Sequence, residues 1–162
     1  MLEKPFKNGI KQLNRFGYTY DLLLKPDQLG FAKTLVSEFP DQPFVLNHMG
    51  KPDIKNKKIK DWSVAVYSLA KHENVCCKAS GLVTEADLEN WEEADFKPYL
   101  DVLFDAFGVS RILYGSDWPV CSLAANYGQV IEVMENYIST FSKNEQAQFW
   151  GGNAERFYKL ST

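Results

Sequence analysis

Four polar residues sit in or just after apolar, β-prone runs, and their types suit hydrolytic chemistry: Asp21, His48, Lys78 and Asp117. A carboxylate such as Asp117 can take a proton from water, while an imidazole and an ammonium can steady the oxyanion that follows. His48 and Asp117 are also of the types that hold a divalent metal ion such as zinc. Strand alternation puts Phe44, Leu46 and His48 on one face, Cys76, Lys78 and Ser80 on one face, and Leu113, Gly115 and Asp117 on one face. If those faces point the same way, His48, Lys78 and Asp117 converge above the carboxyl edge of a sheet. Each residue also has a plainer reading. Asp117 can cap the next helix or shape a Ser-Asp-Trp-Pro turn. His48 can cap a turn, and Lys78 can be the polar edge of its strand.

The elements that must position these groups alternate along the chain. The strands expected are Tyr18 to Leu24, stopped by Lys25-Pro26; Pro43 to His48, stopped by Gly50 and Pro52; Val75 to Ala79, ending at Ser80-Gly81; and Ile112 to Tyr114, closed by Gly115 and Pro119. Helical spacing predicts helices over roughly Phe6 to Phe16, Pro26 to Phe39 and Trp62 to Ala70. A further helix carries Leu100, Leu103, Phe104 and Phe107, and another carries Tyr127, Val130, Ile131, Met134 and Ile138. Gly151-Gly152-Asn153 is expected to supply a break and an N-cap for a last helix through Tyr158. Strands and helices in alternation, with no hairpin signal, imply an α/β fold with parallel strands.

The 162 residues make one domain, with no repeat and no linker to divide it. Apolar residues form 45% and aromatics 14% of the chain, which excludes a disordered sequence. A net charge of −3 argues against nucleic acid as a partner. No apolar run is long enough for a bilayer, and Met1-Leu2-Glu3-Lys4-Pro5 lacks the apolar core of a secretory signal. The three cysteines, Cys76, Cys77 and Cys121, read as reduced thiols of a cytoplasmic protein.

Trp91 and Trp118 can line a pocket, since flat aromatic faces suit sugar rings. Trp62 lies on a helix stripe and reads as core. His72 reads as a solvent-facing charge at a helix end. The lysines at 55, 57, 58 and 60 read as a solvated loop, and no glycine-rich phosphate loop is present.

Taken together, four stretches resemble the amidohydrolase-related family, and within it the branch of sugar-lactone hydrolases. They are Phe44-Val45-Leu46-Asn47-His48-Met49-Gly50-Lys51-Pro52, Cys77-Lys78-Ala79-Ser80-Gly81-Leu82, Gly115-Ser116-Asp117-Trp118-Pro119-Val120-Cys121 and Gly151-Gly152-Asn153-Ala154-Glu155-Arg156-Phe157-Tyr158. The resemblance implies a TIM-type (β/α)₈ barrel, of which this chain is the C-terminal half, strands five to eight, as a single partial domain. His48 then falls on the sixth-strand histidine, Lys78 on the seventh strand, and Asp117 on the eighth-strand aspartate that activates the attacking water. Asp21 ends the fifth strand and is counted, without a specific role, with Trp91 and Trp118 among substrate contacts.

A barrel of this kind needs about 250 residues. The family's first-strand His-x-His pair, which holds metal where metal is used, is absent from the sequence. His48 and Asp117 are the ligands expected to remain if a metal is bound, and some lactonases of this branch resemble metal-free enzymes. The expected reaction is hydrolysis of a sugar lactone, with Asp117 as base, His48 and Lys78 at the carbonyl oxygen, and the Gly81 to Asp95 loop as cover. Open edges invite pairing, so three fates are expected: completion by a partner chain or a second copy, a strained open sheet, or a fragment of a longer protein. The rival expectation is a non-catalytic remnant or interaction module.

Overall fold

The computed structural model describes residues 1–160. Its centre is a four-stranded parallel sheet in the order β1-β2-β3-β4. The strands are β1 (Tyr20–Leu22), β2 (Phe44–Leu46), β3 (Val75–Ala79) and β4 (Ile112–Tyr114). β3 and β4 have the predicted bounds. β1 and β2 are shorter than predicted, because β1 pairs on one side only and the chain leaves extended geometry after Leu46.

Helices connect the strands. α1 (Lys4–Arg15) precedes β1, and α2 (Leu29–Glu38) and α3 (Lys60–Ala70) follow β1 and β2. After β3 come α4 (Leu82–Glu85) and α5 (Glu93–Phe107), and after β4 come α6 (Tyr127–Ile138), α7 (Lys143–Ala147) and α8 (Asn153–Tyr158). α6 begins where predicted because Asn126 and Gln129 cap it reciprocally, each side chain bonding the other's backbone N–H. The apolar stripes face the sheet. Leu35, Val36, Trp62, Val66, Leu69, Leu100 and Leu103 join Phe44, Leu46, Val75, Cys77, Ala79 and Ile112 in one core.

The register corrects one expectation about faces. Paired residues of a parallel ladder point to the same side. Asp21, Val45 and Cys76 form one such row, and Lys78 pairs with Leu113. Phe44 and Leu46 pair instead with Val75 and Cys77, on the helix-covered side. The face holding Phe44 and Leu46 is therefore opposite the face holding Lys78. Strand alternation cannot carry His48 to Lys78's side; a change of backbone hand does so.

The end of the sheet away from the site is sewn together by polar groups. Arg111, just before β4, donates to the carbonyls of Phe107, His72, Val75 and Ala70 at 2.9–3.1 Å. His72 is thus half-buried beside this bridge rather than fully solvent-facing. Asn153 is not the N-cap expected of it. It opens α8 after a π-helical turn over Gln148–Gly152, and its amide donates to the carbonyls of Val109 and Ile112, both at 2.7 Å.

The cysteines are free, Cys77 and Cys121 buried and Cys76 partly so. Burial pushes the Cys77 thiol far above its ordinary range, which leaves it unreactive. Lys55, Lys57 and Lys58 form exposed pairs with Asp87, Asp95 and Asp53, the solvated loop expected, and such pairs contribute little. Among the described residues no helix is long and apolar enough to cross a membrane.

Candidate active site

The site lies past the carboxyl ends of β2, β3 and β4. After β2 the chain makes a left-handed turn: φ is 49° at His48, 54° at Met49, 71° at Gly50 and 51° at Lys51. Non-glycine residues pay about 1–2 kcal/mol each for this hand. Gly50 is needed for a second reason, because a Cβ there would stand 3.0 Å from Leu29. The turn aims the imidazole across β3 toward β4. Its Nδ1 lies 2.9 Å from Ser80 Oγ, at the end of β3. Gly81, with φ of 69°, lets the chain pass the ring, since a Cβ there would be 3.0 Å from His48 Nδ1.

Asp117 also has left-handed φ, 59°, three residues beyond β4. Its Oδ2 lies 3.1 Å from the hydroxyl of Thr84, which has Gly81 O at the same distance as an alternative acceptor. Its Oδ1 lies 3.6 Å from His48 Nε2. Each group thus has one polar atom tied back by a β3-side hydroxyl and one atom facing the other. The gap is not an ion pair at neutral pH. Burial, the largest cause, holds the His48 pKa below the ordinary value against the pull of Asp117 and, more weakly, Glu85, with the Lys51 and Lys78 charges acting in the same direction as burial.

A spacing of 3.6 Å suits two ligands of one zinc ion, whose bonds run about 2.0–2.2 Å. Among the described residues, however, no group of three or more His, Cys, Asp or Glu side chains could hold a metal. His48 and Asp117 fit two corners of a zinc site and do not complete one.

Lys78 is near this pair but bonded elsewhere. Its ammonium lies 2.6 Å from Asp21 Oδ2, and the Tyr158 hydroxyl is 3.0 Å from both Asp21 oxygens. The ammonium also sits 5.3 Å from the centre of the Tyr158 ring. Burial opposes the charge, but the bonds to Asp21 and Tyr158 prevail and hold the Lys78 pKa above its ordinary value. Asp21 and Lys78 therefore form a charged brace on the open face of the sheet, joined by α8. The convergence predicted for His48, Lys78 and Asp117 holds by contact only for His48 and Asp117.

The two tryptophans part ways. Trp91 donates its indole N–H to Ala124 O at 2.9 Å and packs on Phe96, tying the loop after β3 to the loop after β4. Trp118 is 66% exposed beside Asp117. Sequence reasoning missed Thr84 and gave Ser80 only a strand face. It also missed the Lys51–Glu85 ion pair, which joins the left-handed turn to α4, and Tyr158. The available signal was the Ser80-Gly81 step, with Thr84 and Glu85 one helical turn beyond it.

A family model described as amidohydrolase matches residues 4–160. The L-fucono-1,5-lactonase of Burkholderia multivorans is 38% identical, over 98% of this chain and 57% of that protein. The L-fucono-1,5-lactonase of Burkholderia ambifaria is 36% identical, over 87% of this chain and 50% of that protein. Among solved structures, a Burkholderia multivorans amidohydrolase with bound zinc superposes with a TM-score of 0.95 at 36% identity, covering 98% of this chain and 58% of that one. A TIM-barrel protein of Bordetella bronchiseptica, 13% identical with a TM-score of 0.64, shares the fold alone and is half covered. The chain spans little more than half the length of these relatives, so its parallel sheet corresponds to part of a TIM-type barrel.

Proposed function

Because the chain belongs to the amidohydrolase family, we propose that it carries the water-activating part of a site that hydrolyses sugar lactones. The observation that supports this most is the facing of Asp117 Oδ1 and His48 Nε2 at 3.6 Å, each residue anchored from behind. Asp117 takes a proton from water as the water oxygen bonds to the lactone carbonyl carbon. With Ser80 taken as the donor in its 2.9 Å contact with Nδ1, the neutral imidazole keeps its proton on Nε2 and offers it to the carbonyl oxygen as negative charge builds there. When the ring C–O bond breaks, the departing alkoxide takes the proton held by Asp117, and a hydroxy acid leaves.

Lys78 and Asp21 act from beneath, through their brace with Tyr158, rather than at the carbonyl. Trp118 is the substrate-facing aromatic of the pair, and Trp91 holds the cover loop. If zinc were bound, His48 and Asp117 would be two of the residues that hold it, and it would supply Lewis-acid chemistry there. The free thiols suit a reducing, cytoplasmic setting. Sugar lactones are the favoured substrates because two relatives are named for one.

Acid release from a panel of sugar lactones, simple lactones and amides tests the reading. Preference for a sugar lactone supports it, and preference for an amide overturns it. A second reading, a remnant without turnover of its own, is favoured by the coverage of little more than half of each relative. A folded chain that leaves every lactone intact would favour that reading.

A further inference from the structure

We infer that Trp62 is a positioning residue for His48, acting through the single N–H of its indole. Trp62 lies on α3 and is 1% exposed, so packing alone accounts for a large ring there. It does not account for the direction of the ring's polar atom. Nε1 donates to the carbonyl of Met49 at 2.7 Å, inside the left-handed turn that aims His48. At the end of the turn, Lys51 N–H donates to His48 O at 2.7 Å. Met49 is fully buried, so without the indole its carbonyl would face no donor in the core.

The donor itself is held from outside the turn. The Trp62 ring packs against Tyr99 of α5, with centroids 5.3 Å apart. The left-handed turn is thus gripped at the Met49 carbonyl by α3. This grip does not touch the site directly, yet it fixes the backbone that carries His48 toward Asp117.

This inference rests on the reading of His48 as a site residue, but its test needs no turnover. Trp62 is replaced by Phe, by benzothienylalanine, which keeps the bicyclic shape with sulfur in place of N–H, and by 5-fluorotryptophan, which keeps the donor. Amide hydrogen exchange is followed at Lys51 and, as a probe of the sheet, at Cys77, together with the His48 ring signals by NMR. The expected result is that benzothienylalanine speeds exchange at Lys51 at least tenfold relative to Cys77 and shifts the His48 signals. Phe does the same, and 5-fluorotryptophan matches the parent. Unchanged Lys51 exchange and His48 signals in the donor-less variants would overturn the inference. Equal loss of protection at Lys51 and Cys77 would also overturn it, leaving Trp62 a core residue alone. Failure of the lactonase reading would leave these NMR outcomes untouched.

Discussion

Ser80 Oγ stands 2.9 Å from His48 Nδ1, so a hydroxyl at the end of β3 fixes a ring that enters from the loop after β2. The partner of one ring nitrogen decides what the other can do. Ser80→Ala is expected to lower kcat/KM for lactone hydrolysis by about tenfold to a hundredfold, in line with the loss of such outer partners. Circular dichroism and the thermal midpoint should change little. Parent-like kinetics in a folded Ser80→Ala would remove Ser80 from the account.

Gly81 is the tight point beside that ring. Gly81→Ala must strain a backbone at φ of 69° and crowd His48 at 3.0 Å. The expected loss of stability is about 1–3 kcal/mol, read from urea unfolding.

His48 also leaves a signature in stability against pH. Its folded pKa is lowered from 6.5, chiefly by burial. Below that value the unfolded chain binds a proton before the native chain does, so stability present above about pH 6.5 is lost as the pH falls toward the folded pKa. Urea midpoints should drop between pH 7.5 and 5.5 by more in the parent than in His48→Gln. Equal drops would show that another group titrates.

Much of this architecture can be read from residue order. Val75 to Ala79 and Ile112 to Tyr114 are apolar runs with clear stops, and both strands have the expected bounds. His48 and Asp117 are legible because each closes an apolar run. The route by which they meet is not. Alternation places His48 with Phe44 and Leu46, but the strand ends at Leu46 and the backbone changes hand. Register likewise decides Lys78. Its partner Asp21 lies on β1, with β2 between them, and Tyr158 arrives from the far end of the chain. No local pattern encodes such pairings.

Arg111 is the least expected structural residue. Its guanidinium satisfies four carbonyls drawn from α3, the segment entering β3, and α5. Arg111→Met keeps most of the side-chain volume but leaves those acceptors without their donor. The expected loss is about 3 kcal/mol, measured by urea unfolding. A loss under about 0.5 kcal/mol, the range of ordinary surface changes, would contradict this bridging role.

The brace beneath the site can be separated from the chemistry above it. A double-mutant cycle with Asp21→Asn and Lys78→Met should show a coupling in stability of about 0.5–3 kcal/mol, as for residues in direct contact. Independent effects would mean that the 2.6 Å contact contributes nothing measurable.

The central claim is that Asp117 activates water opposite His48. The most direct measurement is acid release from L-fucono-1,5-lactone by the parent and by Asp117→Asn, compared at equal concentrations of folded protein. Removal of a general base should lower the rate by about 10²–10⁴-fold, with unfolding curves that nearly coincide. Equal rates for the two proteins would contradict the claim.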